Sequence, residues 1–207
     1  MKASIPDETN CVPYQPADIY SLLVNAPFPW WISGGWALDL FLQEQTRDHF
    51  DIDVSIARHD QLVAQAFLNT WDFWSVMRNE NNEIVIAPWV KDNELNNEYP
   101  GVWGREDPEA PWRFEFFFQD IDNELWQFRY CESVQHPSAS IGDSTPEGIP
   151  YLRPEIVLLT KAVRLREVDI HDFLRVLPAL SSKQKTNLIE DISKMDVQHP
   201  WIEILVR

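Results

Sequence analysis

The sequence predicts an α/β protein, in which a mixed β-sheet core with flanking helices precedes a small C-terminal helical domain. Strand-like alternation and helix-like spacing of apolar residues follow one another through the first 150 residues. From Pro154 onwards only helical spacing remains. We therefore expect an α/β domain over residues 1–150, with an irregular lead-in at 1–15, and a helical domain over residues 151–207.

The first elements are predicted from apolar spacing and from the residues that interrupt it. A short helix over Asp18–Asn25 should end before Pro27. The stretch Trp30–Leu42 is typical of a buried strand, a Gly-Gly turn and an apolar helix. A second strand should begin at Asp51 and Asp53. Further predictions are a helix over residues 59–69 and a hairpin formed by residues 72–77 and 84–87.

The middle of the chain combines an irregular stretch with the strongest strand signal. Residues 88–111 show little periodicity and predict a long loop, either a lid or substrate wall or a plain surface excursion. Residues 112–119 alternate so that three phenylalanines share one face, and residues 125–130 are the expected hairpin partner. After a Ser/Gly/Pro-rich connection at 138–150, helices are predicted at 155–166, 169–180 and 183–195, with a last short helix or tail from His199.

The charge balance restricts the classes of partner. The net charge is −16, from 17 Lys and Arg against 33 Asp and Glu. Nucleic-acid binding depends on Lys and Arg that neutralise phosphates, so the charge argues against a polynucleotide partner. The acidic surface would attract a cationic small molecule, although plain solubility explains most such charge.

Cysteine and tryptophan usage adds further limits. Cys11 and Cys131 match neither a disulfide framework nor a zinc-ligand spacing. The N-terminus lacks a signal-peptide core and no run approaches ~20 apolar residues, so we expect a cytoplasmic protein that does not cross a membrane. Trp89, Trp103 and Trp112, in polar surroundings, serve either packing or an aromatic wall for a ring-shaped ligand.

Two neighbouring features suggest nucleotide chemistry. Gly34 and Gly35 lie between a predicted strand and helix, where the backbone approaches ligands closely and free N–H groups attract phosphate. Asp51 and Asp53 point to one face of a strand, where two carboxylates repel each other unless a cation lies between them. Mg²⁺ meets that need. A solvated acidic pair is the alternative.

A third carboxylate, Glu115, projects from an otherwise apolar strand. Such a group must be solvated, paired or bound to a cation. If its strand lies beside the one that carries Asp51 and Asp53, the three acids converge. The alternative is pairing with Arg113 or Arg129.

Four segments carry a resemblance to a known family: Trp31–Leu40, Thr46–Asp53, Pro150–Ala162 and His199–Trp201. They resemble the aminoglycoside 2″-nucleotidyltransferases (adenylyltransferases) and their uncharacterised bacterial relatives, within the polymerase-β-like nucleotidyltransferase superfamily. The similarity spans roughly residues 20–205 and is loose between residues 60 and 150. Gln43 and Glu44 depart from the Gly-containing turn that relatives often show.

The resemblance implies an activity and a set of site residues. The activity is Mg²⁺-dependent transfer of a nucleoside monophosphate, from ATP or another nucleoside triphosphate (NTP), to a hydroxyl of a small acceptor, with release of pyrophosphate. By resemblance, the catalytic and metal-binding residues are Asp51, Asp53 and Glu115. The nucleotide-binding residues would be Ser33, Gly34, Gly35, Arg47 and Lys161. For Arg47 a buried Arg–Asp pair is an alternative, and for Lys161 a solvated helix face.

The sequence leaves three alternatives for the acceptor and for whether the protein is catalytically active. An aminoglycoside fits both the resemblance and the negative charge. A protein Tyr, Ser or Thr hydroxyl is the alternative, as in AMPylating nucleotidyltransferases of toxin–antitoxin type. A non-catalytic nucleotide-binding module of the same fold is the third reading.

Overall fold

The structure is a computed structural model that describes residue 7 and residues 9–80 and 83–206. Residues 1–6 and 8 of the predicted lead-in at 1–15, and residues 81 and 82 between the two strands of the predicted hairpin, lie outside the described residues. The helices are α1 Pro16–Leu23, α2 Gly34–Leu42, α3 Gln61–Phe67, α4 Pro154–Arg164, α5 Glu167–Val176, α6 Ser182–Met195 and α7 Pro200–Val206. The strands are β1 Trp30–Ser33, β2 Asp53–Ala57, β3 Asp72–Arg78, β4 Ile84–Pro88, β5 Gly101–Arg105, β6 Phe114–Asp122, β7 Leu125–Phe128, β8 Cys131–Pro137, β9 Gly142–Ser144 and β10 Pro150–Leu152.

The chain forms two compact units, each built from two separate stretches of sequence. The first unit contains the described residues up to Trp30 together with His49–Phe118. The second contains Trp31–Asp48 and the described residues from Gln119 onwards. The predicted division after residue 150 stays a prediction.

The first unit contains a sheet with the strand order β4-β3-β5-β6-β2. β3 pairs antiparallel with both β4 and β5, and β5 pairs antiparallel with β6, so the predicted hairpin of residues 72–77 and 84–87 is confirmed. The predicted phenylalanine face is also confirmed, because Phe114, Phe116 and Phe118 are all buried. Phe73 packs against Phe114 and Phe116, and Trp89 packs against Phe118.

Strand β5 lies inside the stretch 88–111 that the sequence predicted to be irregular. Its two glycines explain the discrepancy. A Cβ atom at Gly101 would collide with the carbonyl oxygen of Phe116, and one at Gly104 would lie 2.6 Å from the ring of Phe73. Close packing therefore requires glycine, a residue that weakens the strand signal.

The three tryptophans in polar sequence surroundings serve packing. Trp89 and Trp112 are buried. Trp103 is partly buried and packs against a cluster of Trp74, Val76, Ile86 and Trp112. The alternative of an aromatic wall is not needed to explain them.

The second unit combines short strands with helices. β1 pairs parallel with β10, and β10 pairs antiparallel with β9. The end of β6 pairs with β7, which confirms the predicted hairpin, and β7 pairs with β8. Helix α4 contacts α2, α5 and α6. β9 lies within the predicted connection 138–150 and β10 begins at its last residue; with three residues each, both strands are too short to show a period.

Among the residues that the structure describes, no helix has both the length and the apolar character that crossing a membrane requires.

Replacing Gly101 by Ala should destabilise the first unit, because the added methyl group collides with backbone rather than with a movable side chain. We expect the free energy of unfolding to fall by about 2–3 kcal/mol, measured by urea denaturation. Ser144→Ala, at an exposed position of β9, serves as the control. An unchanged midpoint for Gly101→Ala would contradict the tight packing of β5 against β6.

Candidate functional site

The acid pair lies at the start of β2 in the first unit. Asp53 is the first residue of the strand and Asp51 comes two residues before it. Ile52 and Val54 are buried, whereas Asp51 is exposed and Asp53 half-buried. The alternation shows that both carboxylates face away from the core that holds Ile52 and Val54.

Glu115 lies beside this pair. Its strand β6 is the neighbour of β2, and its backbone N–H donates to the carbonyl oxygen of Ile52 at 3.1 Å. The condition on which the predicted convergence depended, that the two acid-bearing strands are neighbours, is therefore met. The Glu115 carboxylate accepts a hydrogen bond from the indole Nε1 of Trp103 at 3.0 Å. Arg113, one predicted alternative partner, is bound to Glu106 at 2.7 Å.

Sequence reasoning offered Trp103 either packing or an aromatic wall, and did not foresee a contact with Glu115. The residue lies directly opposite Glu115 in the pairing of β5 with β6. Its indole N–H holds one carboxylate oxygen and thereby orients the side chain. The signal was hidden because the surrounding stretch did not show strand periodicity.

The acids fit a magnesium ion only in part. Within the described part of the chain, no three His, Cys, Asp or Glu side chains are close enough together to hold a metal ion. The backbone of Glu115 is hydrogen-bonded beside Asp51 and Asp53, at Ile52, but the three carboxylates do not form one metal-binding cluster. Mg²⁺ is usually bound through one or two carboxylates together with waters and substrate phosphates. The donor type agrees with that pattern.

The glycine pair opens helix α2 in the second unit. Ser33 ends β1 in an extended conformation, and Gly34 follows with φ 61°, a left-handed value that favours glycine. The hydroxyl of Ser33 is buried and has no hydrogen-bond partner among the residues that the structure describes. A buried hydroxyl at a helix N-terminus, where backbone N–H groups carry partial positive charge, is suited to an anionic oxygen.

Arg47 is engaged in an ion pair. Its Nε donates to Oδ1 of Asp172 at 2.9 Å and its Nη2 to Oδ2 at 3.2 Å. Asp172 lies on α5 and is only 4% exposed. The predicted alternative for Arg47, a pair with a buried aspartate, is therefore present.

Lys161 is buried on α4, so the alternative of a solvated helix face is wrong. Its ammonium group lies 2.8 Å from Asp172 and 3.2 Å from Asp169. Burial alone would raise the pKa of Asp172, but hydrogen bonds from Arg47 and Lys161 and their positive charges lower it below its ordinary value. Nucleotide binding by Arg47 and Lys161 stays a prediction.

The comparison with family models gives one match. The aminoglycoside-2″-adenylyltransferase model matches residues 17–84, a segment that contains the glycine pair and the acid pair but neither Glu115 nor Lys161. The resemblance that the sequence analysis identified is thereby confirmed over this segment. The match supports the prediction of a nucleotidyltransferase. A comparison with curated proteins gives no match.

Solved structures extend the comparison to most of the chain. The solution structure of the antibiotic-resistance factor ANT(2″)-Ia is 16% identical, covers 88% of this chain and 94% of its own, and superposes with a TM-score of 0.54. The crystal structure of ANT(2″)-Ia with adenylyl-2″-tobramycin is 17% identical, with coverages of 87% and 98% and a TM-score of 0.55. These similarities confirm the predicted fold class.

Acid should destabilise the protein partly through Asp172. Because its pKa in the folded state lies below the ordinary value of 3.8, the ionised group stabilises the fold above that pH. This contribution disappears as the pH falls from about 3.8 through the lowered pKa. Urea unfolding between pH 2.5 and 7 should show a smaller loss of stability at low pH for Asp172→Asn than for the wild type. If the stability of both proteins fell equally with pH, the contribution of ionised Asp172 to stability would be contradicted.

Proposed function

We propose that the protein is a Mg²⁺-dependent nucleotidyltransferase that transfers a nucleoside monophosphate from ATP to a hydroxyl of a small cationic acceptor. The observation that carries the proposal is the backbone hydrogen bond between Glu115 and Ile52, which brings a third carboxylate-bearing residue beside Asp51 and Asp53. The family match over the segment with the acid pair supports it.

Each residue of the set would have a defined task. Asp51 and Asp53 would hold magnesium, and Glu115 would either complete the metal site or accept the proton of the acceptor hydroxyl. Bound magnesium would supply charge neutralisation at the phosphates and lower the pKa of a bound hydroxyl. The acceptor oxygen would bond to the α-phosphorus while the bond to the pyrophosphate oxygen breaks.

The phosphates would be held by Ser33, Gly34 and Gly35. Ser33 offers a buried hydroxyl with hydrogen-bonding capacity to spare, and the left-handed Gly34 lets the chain turn into α2 so that its N–H groups are available. Arg47 and Lys161 are the further predicted phosphate contacts. Both of these cations already neutralise Asp172.

An aminoglycoside is the acceptor class that the chemistry favours. The complexed form of ANT(2″)-Ia contains adenylyl-2″-tobramycin. The net charge of −16 on this chain would attract a polycation of that kind. The same charge disfavours a nucleic-acid acceptor, and a cytoplasmic location, where ATP is available, belongs to the proposal.

Replacing Asp51 or Asp53 by Asn should abolish pyrophosphate release and weaken Mg²⁺–ATP binding. Release is measured with ATP, GTP, CTP and UTP against aminoglycoside and lincosamide acceptors, and binding by calorimetry. Glu190→Gln, which neutralises an exposed carboxylate on α6, is the control and should match the wild type. Unchanged Mg²⁺–ATP affinity in both variants would remove the metal assignment.

Labelled ATP distinguishes the acceptor classes. Incubation with lysate that yields labelled protein bands would point to a protein hydroxyl in place of an antibiotic. Tight binding of Mg²⁺–ATP without pyrophosphate release for any acceptor would identify a non-catalytic module.

Removing the hydroxyl of Ser33 separates a ligand-binding role from a structural one. Because the hydroxyl bonds to none of the described residues, Ser33→Ala should leave the unfolding midpoint unchanged or slightly raised. The KM for ATP should rise about 5–20-fold, the worth of one or two hydrogen bonds. An unchanged KM for ATP in Ser33→Ala would show that the hydroxyl does not contact the nucleotide. Ser140→Ala, at a 3₁₀ turn in the same unit, is the control.

A further inference from the structure

The carboxylate of Glu115 lies against β5, the strand that pairs with β6 on one side. Trp103 is directly opposite Glu115 in this pairing, and its indole Nε1 donates to Oε2 at 3.0 Å. The other oxygen, Oε1, lies beside Gly101, 3.2 Å from the point that a Cβ atom would occupy there. The Glu115 side chain therefore extends along β5, where Gly101, which has no side chain, leaves room for it.

This position is on the side of β6 that is turned away from the acid pair on β2. In the sheet, β6 lies between β5 and β2. Neighbouring strands are about 4.8 Å apart, so β5 and β2 are separated by about 10 Å. Oxygens that bind one Mg²⁺ lie at most about 4.2 Å apart, because each is about 2.1 Å from the ion. The position on β5 agrees with the finding that, within the described residues, no three His, Cys, Asp or Glu side chains form a metal-binding group.

The indole ring that binds Glu115 is itself held by aromatic packing. Trp103 is partly buried, and its ring centroid lies 5.6 Å from that of Trp112. The ring packs against a cluster of Trp74, Val76, Ile86 and Trp112. A close-packed ring of this size has little freedom to follow a carboxylate that moves. The hydrogen bond, which is strengthened by the charge of the carboxylate, therefore ties Glu115 to a fixed point on β5.

We propose that Trp103 is a positioning residue, which holds Glu115 against β5 and keeps its carboxylate off a metal ion at Asp51 and Asp53. This rests on the proposed function, in which the pair binds the ion and Glu115 has two alternative tasks. The indole bond leaves two protein carboxylates for the ion, a number that suits Mg²⁺. Glu115 then has the second task, and the proton of the acceptor hydroxyl passes to its carboxylate.

The first measurement is the affinity for Mn²⁺ alone, followed by electron paramagnetic resonance without nucleotide. Trp103→Phe keeps an aromatic ring in the cluster but removes the N–H, so that the Glu115 carboxylate can turn towards the acid pair. Because a third carboxylate adds charge and a ligand to the site, the dissociation constant for Mn²⁺ should fall about tenfold. The double variant Trp103→Phe with Glu115→Gln should return to the wild-type affinity.

The chain offers a matched control at Trp74. This residue lies opposite Trp103 in the pairing of β3 with β5, and its indole Nε1 donates to the two carboxylate oxygens of Asp72 at 3.2 and 3.1 Å. Trp74→Phe therefore removes an indole–carboxylate hydrogen bond from the same aromatic cluster and leaves the one to Glu115 in place. Its affinity for Mn²⁺ should equal that of the wild type. A gain in affinity as large as that of Trp103→Phe would overturn the proposal.

Glu115→Gln alone tests the arrangement in the presence of Trp103, and it also serves if Trp103→Phe does not fold. Its affinity for Mn²⁺ should be unchanged, whereas Asp53→Asn should lose binding. The kcat for pyrophosphate release should fall about 100-fold in Glu115→Gln, with KM for ATP nearly unchanged, because a proton acceptor is lost and no metal ligand. Loss of Mn²⁺ binding in Glu115→Gln as in Asp53→Asn, or wild-type affinity in folded Trp103→Phe, overturns the proposal.

Nuclear magnetic resonance of ¹⁵N-labelled tryptophan adds a readout that needs neither metal nor nucleotide. In Glu115→Gln the indole proton of Trp103 should move to lower chemical shift, since a neutral acceptor forms a weaker hydrogen bond. An unmoved resonance overturns the hold of Trp103 on Glu115. The expected shift and the expected Mn²⁺ affinities, in a wild-type protein that turns over no nucleotide, support the positioning role and overturn the proposed function alone. Absence of Mn²⁺ binding in the wild type overturns both.

Discussion

The second unit depends on keeping one buried carboxylate ionised. Asp172 is 4% exposed, and a charge so far from water is tolerated only when cations and hydrogen bonds replace its hydration. Arg47 and Lys161 provide that replacement from two different parts of the chain. The packing of α4 against α5 and the course of the turn at residues 44–48 are therefore linked, because a shift in either would leave a buried charge without its partner. The bidentate ion pair of Arg47 with Asp172 fixes distance and direction together.

The first unit achieves rigidity by different means. Aromatic rings of β3 and β6 contact one another. The ring centroid of Phe73 lies within 6.2 Å of the ring centroids of both Phe114 and Phe116. Such large interlocking side chains leave a strand little freedom to slide. Glu115 projects from the opposite face of the same strand, so its backbone position is set by the phenylalanines beside it, and its carboxylate is directed by Trp103. The apolar packing of the β6 phenylalanines thereby supports the placement of the Glu115 carboxylate on the other face of the strand.

The sequence predicted best what depends on periodicity and least what depends on burial. The phenylalanine face of β6 and the helices after Pro154 followed directly from spacing. Strand β5 was missed because Gly101 and Gly104, which the packing demands, remove the apolar residues that mark a strand. Lys161 could not be placed, because a lysine on an amphipathic helix has the same sequence signature whether it faces water or a buried aspartate 8 positions away. The motif between Trp31 and Asp53 predicted the family resemblance that is confirmed over residues 17–84, but not that Arg47 would be bound to a residue far along the chain.

The interleaving of the two units has a consequence for synthesis of the protein. The chain passes between the units three times, after Trp30, Asp48 and Phe118. Helix α2 leaves the ribosome early, yet its contacts α4 and α5 begin only at Pro154, 112 positions after Leu42. At ordinary rates of translation this delay is on the order of 10 s. During that time Trp36, Ala37 and Leu38, which are buried in the finished protein, lack the packing that these later helices give to α2.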